Sequence, residues 1–415
     1  MKAIIMAGGE GTRLRPLTCG QPKPMVPVMN RPVMEHIINL LKQHNILDIG
    51  VTLQYCPEAI INYFGDGERF GVHLRYYTEE QPLGTAGSVK NAEDMLDETF
   101  IVISGDALTD LDITTAIDFH RQKQSQATLV LTRVPMPLEY GVVMTDSTGK
   151  IVRFFEKPQW NEVFSDTVNT GIYILEPSVL QQYEKNKNFD FGKDVFPNLL
   201  AQNAPMFGYV SADYWCDIGD LDAYMQCHCD ILDKKVGIRF HANEVLPGVW
   251  MEEGVQIDEG AIIKKPCWIG QNAHIQKNAV VEEYSVVGQQ CLISEGASLK
   301  RAIIWQGAKI GSQAQLRGCT ICGSVNVGFQ AQIYEKSVIG DRTMIGEKAI
   351  IKPSIKIWPA KTVEGGATVS ANLVWGSRTN RSLFGERGIS GEINVDVTPE
   401  FASRLGTAFG AMMGA

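Results

Sequence analysis

The sequence predicts two folds in one chain. Residues 1–235 read as an α/β domain with a mostly parallel sheet, and residues 248–376 read as an all-β parallel β-helix. Three observations carry this. Short apolar runs alternate with amphipathic stretches through the first part. An aliphatic residue recurs every six positions through the second. A chain of 415 residues has room for two or three domains at roughly 150 residues each.

In the first part, Lys2-Ala3-Ile4-Ile5-Met6-Ala7 reads as a buried strand that runs into glycines. Val33, Ile37, Leu40 and Leu41 fall on one face of a helix, with Pro32 near its start, where a missing N–H does no harm. Further strands are expected at Ile49–Leu53, Phe100–Ile103 and Ala127–Leu131. Buried apolar strands separated by helices mean a sheet covered on both faces, with ligands beyond the carboxyl ends of the strands.

In the second part the beat runs Ile257, Ile263, Ile269, Ile275, Val281, Val287, Ile293, Leu299 and Trp305. After one-residue slips it resumes from Val327 to Val369. Two positions before most of these sit small residues such as Ala261, Cys267, Ala273 and Ala279. A six-residue period makes each unit one flat side of a β-helix, with the aliphatic residue inward and the small one at the corner. The stretch resembles the left-handed β-helix of hexapeptide-repeat proteins.

Composition excludes several classes. Charged residues are 20% of the chain and the net charge is −9, which argues against a nucleic-acid partner. No apolar run is long enough for a membrane span, and no secretory signal opens the chain, so no membrane association is expected. Nine scattered cysteines fit a reducing cytoplasm. Cys227-His228-Cys229 is expected on a helix, where neighbours two apart diverge, and is not expected to bind metal. Cys319 and Cys322 have no second pair and are read the same way.

The chemistry-bearing residues begin after the first strand. Gly8-Gly9-Glu10-Gly11-Thr12-Arg13 places three glycines in four positions, so backbone N–H groups can turn toward an anion. Arg13, Arg15 and Lys23 add positive charge. With Gln21-Pro22-Lys23-Pro24, the stretch resembles the signature of sugar-1-phosphate nucleotidylyltransferases, which have a Rossmann-like fold. The resemblance continues through residue 235.

The resemblance implies specific roles. Ala7, Gly8, Gly9, Gly11 and Thr12 would line the nucleotide, and Arg13 would hold the β and γ phosphates. Lys23 would contact the phosphates where the bond changes. Gln81, Gly84, Thr85 and Ala86 match the loop over base and ribose. Asp106 and Asp217 match two metal-binding aspartates, with Mg2+ as the expected ion. Gly141, Glu156, Lys157, Asn169 and Thr170 match the sugar-phosphate side; Glu156 and Asn169 would bond sugar hydroxyls and Lys157 the phosphate. No protein base is required, because a sugar phosphate is already anionic at neutral pH. His36, His120 and His274 are therefore read as surface or packing residues.

Asn30-Arg31-Pro32-Val33-Met34-Glu35-His36 and the stretches before it look most like mannose-1-phosphate guanylyltransferases. The expected substrates are then GTP and mannose 1-phosphate. Glucose-1-phosphate uridylyl-, adenylyl- or thymidylyl transfer is the alternative within the class. Outside it stand a catalytically silent subunit that binds nucleotide sugar, and an acyltransferase that would use His274. The β-helix resemblance implies a homo-oligomer. Leu383–Gly391 resembles the opening of a phosphohexomutase, and Thr398-Pro399-Glu400 reads as a helix start. Residues 377–415 would be either the start of a truncated mutase half or a vestige of one.

Overall fold

The computed structural model describes residues 1–238, 242–376, 378–379, 389, 393 and 397–414. The chain divides into two compact units, Met1–Leu14 with Gly20–Ile238, and Arg15–Cys19 with Arg239–Ala415.

The first unit follows the expected alternation. Strand β1 (Lys2–Met6) leads through the signature loop to a two-residue hairpin, β2 (Pro27–Val28) and β3 (Arg31–Pro32), and into α1 (Val33–Gln43). Val33, Ile37, Leu40 and Leu41 are all buried on α1, as their spacing predicts. Then come β4 (Asp48–Leu53), α2 (Pro57–Phe64), β5 (His73–Thr78), α3 (Gly84–Asn91), β6 (Phe100–Ser104), β7 (Ala107–Thr109), α4 (Ile113–Gln122) and β8 (Ala127–Arg133). After them run β9 (Gly141–Thr145), β10 (Ile151–Glu156), β11 (Thr167–Leu175), α5 (Ser178–Gln181), α6 (Phe196–Ala201), β12 (Met206–Val210), β13 (Trp215–Asp217) and α7 (Leu221–Leu232).

The main sheet is mixed, which corrects the mostly parallel expectation. Its path is β10-β9-β11-β6-β1-β4-β5, with β8 beside β11 and β12 beyond β8. Strands β6, β1, β4 and β5 are parallel neighbours. Strand β11 runs antiparallel to β6, β8 and β9, and β10 antiparallel to β9. The reason lies after Gln126: β9 and β10 are joined by a turn at Asp146–Lys150, too short for the crossover that parallel strands need. The second half of the unit therefore contributes hairpin geometry that apolar runs alone do not announce.

The second unit is a β-helix of three sheets, with eight, eight and seven strands. Ile275 pairs in register with Ile293, eighteen residues on, one coil of three six-residue sides. A single core runs along the axis, with an aliphatic and a small residue from each side. Most corners hold a residue in the left-handed region, such as Asn272 and Asn278, whose side chains tolerate that conformation.

Two inward assignments are corrected. Ile257 is 41% exposed, because it belongs to the first coil, which has no preceding coil to cover it. Trp305 is not the core residue of its side; Ile304 is, pairing with Val287 and Ile321. The side from Leu299 to Ile304 is one residue short, and a second such side separates Leu316 from Ile321.

The predicted helix start is observed: α8 (Pro399–Met412) is capped by the Thr398 hydroxyl, which accepts from Phe401 N at 3.2 Å. The mutase-like stretch Leu383–Gly391 lies outside the described residues, apart from Ile389.

Candidate active site

Parallel neighbours β1 and β6 end side by side, and the site grows from their carboxyl ends. Gly105 N donates to Met6 O at 2.8 Å, which ties the turn after β6 to the end of β1. Asp106 follows at once. Asp217 arrives by another route. It does not extend from the main sheet; it ends β13, which pairs antiparallel with β7 and sets Asp217 opposite Ala107. A separate two-stranded ribbon thus brings together carboxylates distant in sequence.

Lys23 lies between them. Its Nζ donates to Asp106 Oδ2 at 2.6 Å and to Asp217 Oδ1 at 2.9 Å. The lysine sits in a 3-10 turn, Lys23–Met25, flanked by Pro22 and Pro24, which restrict the backbone. The following residues are gripped from two helices. Tyr224 OH on α7 donates to Pro27 O at 2.8 Å, and Met29 N donates to His228 Nε2 at 3.4 Å. His36 Nε2 on α1 lies 3.0 Å from Val28 O. His36 is thus a packing residue, as expected, as is His120, buried between Thr128 and Glu176.

Charge in this cluster is coupled. Burial works against the ionised form of all three groups, and their mutual contacts oppose it. The two carboxylates hold the Lys23 ammonium above its ordinary range despite its burial. Against the burial penalty, Lys23 and the Ser104 hydroxyl hold Asp106 below the usual carboxylate range. Burial pushes Asp217 up, and the charge on Asp106 adds to that.

Arg13 stands in the short turn Thr12–Leu14, anchored by the buried Leu14. Its guanidinium is largely exposed and pairs with Glu139 Oε2 at 2.6 Å. Ala7 N donates to Thr52 O at 3.0 Å, and Gly8 and Gly9 continue the loop with little around them.

On the expected nucleoside side, Gln81 lines a cavity of about 440 Å³ with Thr78, Glu79, Glu80, Leu83, Asn91 and Asn186. Gly84 opens α3 with φ +73°, and a Cβ there would lie 2.6 Å from Phe189 O. Chain packing therefore accounts for this glycine without a nucleoside. Thr85 N and its hydroxyl donate to Asp190 Oδ1 at 2.9 and 3.1 Å, and Ala86 is buried behind it.

On the expected sugar side, burial raises the Glu156 carboxyl, with Lys157 opposing. Lys157 itself has φ 48°, a left-handed conformation that is uncommon for a long side chain and carries strain. Asn169 Nδ2 donates to Tyr173 OH at 2.9 Å. The Thr170 hydroxyl donates to Val130 O at 2.8 Å, and its carbonyl accepts from Trp215 Nε1 at 3.1 Å. Gly141 lies against Glu156: a Cβ there would come within 2.8 Å of its Oε2.

One segment of this site has no counterpart in the sequence reading. Phe191–Val195 forms a π-helical stretch running into α6, a rare geometry often found at functional sites. Asp190 before it holds Thr85, and Gly192 within it lies against Glu156, where a Cβ would sit 2.7 Å from Oε2. The segment links the two sides of the site. Its aromatic-Asp-aromatic-Gly string could have marked it. Glu139, which pairs with Arg13, carries no local signal in the sequence that marks it.

The comparisons identify the family. The nucleotidyl transferase family profile matches residues 2–234, and the EIF2B subunit epsilon LbH domain profile matches residues 247–351. A UTP–glucose-1-phosphate uridylyltransferase from Synechocystis is 39% identical over 333 residues, 76% of this chain and 86% of that protein. A mannose-1-phosphate guanyltransferase from Neurospora crassa is 34% identical over 383 residues, 90% of this chain and all of that protein. A crystal structure from Bacillus anthracis, described as a candidate glucose-1-phosphate thymidylyltransferase, superposes with a TM-score of 0.52 at 26% identity, covering 58% of this chain and 97% of that one. The resemblance drawn from the glycine loop and its partners is therefore kinship: the chain belongs to the nucleotidyl transferase family, joined to a β-helix of the left-handed LbH kind.

Proposed function

We propose that this protein transfers a nucleotidyl group from GTP to mannose 1-phosphate, forming GDP-mannose and pyrophosphate. The observation that carries the reaction class is the meeting of Lys23, Asp106 and Asp217 at the ends of β1 and β6, next to the loop that bears Arg13. Two anions must be joined while charge gathers on the α-phosphoryl group, so positioning and electrostatic stabilisation dominate. Arg13, largely exposed and paired with the surface carboxylate of Glu139, can turn to the β and γ phosphates. Lys23 reaches the α-phosphate. Lys157 binds the sugar phosphate, and Glu156 and Asn169 orient sugar hydroxyls. The sugar phosphate attacks as an anion, so no side chain need remove a proton.

The donor set suits a hard divalent ion. Asp106 and Asp217 offer acceptor-only oxygens aimed at one point, since both bond the same Lys23 nitrogen. Two protein carboxylates with remaining positions left to phosphate and water is the usual way Mg2+ is held. When bound there, Mg2+ would neutralise phosphate charge and favour in-line geometry.

Guanine and mannose rest on the sequence stretches around Lys23 and on relatives such as the Neurospora enzyme. A second reading, UTP with glucose 1-phosphate, is favoured by the 39% identity to the Synechocystis protein. A matrix of four nucleoside triphosphates against mannose, glucose, galactose and N-acetylglucosamine 1-phosphates, followed by pyrophosphate release, decides between them. GTP with mannose 1-phosphate should lead by at least roughly tenfold in kcat/KM, or about 1.4 kcal/mol. A lead for UTP with glucose 1-phosphate would replace the guanylyl assignment and keep the class. No turnover in any cell would favour a silent binding subunit.

The β-helix faces support assembly into a homo-oligomer, and nine cysteines with no disulfide between them support a reducing, cytoplasmic setting. Light scattering should give a multiple of the chain mass for the full protein and lose it when the chain is cut after Lys235. A full-length monomer at micromolar concentration would reject assembly.

A further inference from the structure

We propose that Lys23 and the divalent cation exclude one another from the Asp106–Asp217 pair, so that metal enters this site together with a polyphosphate and not before it. The inference rests on reading the two aspartates as the metal-binding pair. It adds an order of events and a second role for Lys23, as the counter-ion that holds the two carboxylates together until the triphosphate arrives.

The geometry makes the two cations rivals. Lys23 Nζ is 2.6 Å from Asp106 Oδ2 and 2.9 Å from Asp217 Oδ1. Both are charge-assisted bonds of full strength. The other oxygen of Asp106, Oδ1, accepts from the Ser104 hydroxyl. A divalent ion held by the two carboxylates would compete with the ammonium for the charge and lone pairs of these oxygens. It would then share the narrow space between the carboxylates with an ammonium of like charge, so one of the two must leave.

Displacing Lys23 by metal alone is unfavourable. The lysine is buried, and stripping both partners from a buried charge is strongly destabilising. Mg2+ also dehydrates reluctantly. A triphosphate removes both obstacles: its oxygens accept the Lys23 ammonium and complete the coordination of the ion. Nucleotide and metal then favour each other by the same factor, as linkage requires. Arg13 differs in degree: it pairs with the exposed Glu139, and its charge also reaches Asp217 but acts there less strongly than that of Lys23.

The test measures Mn2+ binding to the full chain by electron paramagnetic resonance, first without nucleotide. Lys23→Met and Lys23→Gln should bind Mn2+ at least tenfold more tightly than the unaltered protein. The glutamine variant can still donate to a carboxylate, which protects the fold if methionine does not. Arg13→Gln, which removes the same unit of charge from a neighbouring turn, should shift Mn2+ affinity less than threefold. The α,β-methylene analogue of GTP should then bring tight Mn2+ binding to the unaltered protein. Equal Mn2+ affinity in the unaltered protein and both Lys23 variants overturns the proposal, as does a gain with Arg13→Gln as large as theirs. In either case Mn2+ binding that depends on the analogue would leave the proposed reaction standing. If no form binds Mn2+ even with the analogue, the metal reading and this proposal fail together.

Discussion

The two units handle polar groups in opposite ways. In the β-helix the interior repeats: an aliphatic residue and a small one per side, stacked coil upon coil. Its buried polar side chains among the described residues are few: Glu252 in the first coil, then Ser285, Thr320, Ser337 and Thr343. The first unit buries Lys23, Glu35, Glu79, Lys90, His120 and His228, and it gathers two carboxylates around one ammonium. Burying charge costs stability unless it is paired, so such a cluster persists only where partners hold it. The difference teaches where to look for chemistry: the periodic unit obeys its packing rule nearly everywhere, and the aperiodic one breaks the rule at the ends of β1 and β6.

The sharpest way to break this comparison is at the carboxylates. Asp106→Asn keeps the shape and removes a charge and a hard oxygen, and should lower kcat roughly a thousandfold, about 4 kcal/mol. Asp217→Asn should act alike, and the double variant should be little worse than either, because groups acting as one unit are not additive. Near-normal kcat for Asp106→Asn at saturating Mg2+ would remove chemistry from this cluster.

In the β-helix a large change should leave chemistry alone. Leu299→Ala empties a fully buried core position and should cost about 2–5 kcal/mol of stability. Since each coil contacts mainly its neighbours, kcat per folded molecule should change less than twofold. Denaturant unfolding followed by circular dichroism, with kcat measured on the same sample, checks both halves. A tenfold loss of kcat would mean that the units are functionally coupled.

A smaller effect concerns pH. His228 is buried, which lowers its pKa to about 4, with its contact to Tyr224 opposing and His36 adding to the shift. A depressed folded-state pKa means the native form resists protonation. Its stabilising contribution is full above about pH 6.5 and is lost as pH falls toward 4, at most about 3 kcal/mol. His228→Gln keeps an acceptor for Met29 N and cannot titrate. Its stability should therefore fall less between pH 6.5 and 4.5 than that of the unaltered protein. Parallel slopes in urea melts across that range would show that His228 does not titrate with unfolding.

The smallest effect belongs to the exposed Arg13–Glu139 pair. Surface pairs of this kind contribute about 0–1 kcal/mol. Glu139→Gln should free Arg13 for phosphate, lowering the KM for nucleoside triphosphate by a few-fold at most and leaving kcat unchanged. Initial-rate measurements at low and high salt would test this, since screening should erase the difference. A tenfold rise in KM would assign Glu139 a part in substrate binding.

Where one local rule governs, the residues alone were decisive. The six-residue beat specified the β-helix, because stacking demands that each side bury one aliphatic residue. It misled at Trp305, where a shortened side moved the inward position to Ile304, a shift invisible until coils are stacked. Likewise the spacing on α1 announced its buried face, and the strand before Gly8 announced the loop. The string Ser104-Gly105-Asp106 lies at the end of a strand in sequence and in space.

Other features were decided only by the tertiary structure. The antiparallel half of the sheet depends on which hairpins form, and apolar runs read alike in either direction. The meeting of Asp217 with Asp106 depends on the β7–β13 ribbon, a pairing between segments far apart in the chain. Lys23 between the two aspartates, Glu139 on Arg13, and the π-helical stretch that joins Thr85 to Glu156 are long-range pairings of the same sort. Local composition sets which side chains are available and which face of each element is apolar. The position of a charge within bonding distance of another depends on how distant segments pack, and no spacing along the chain encodes that directly.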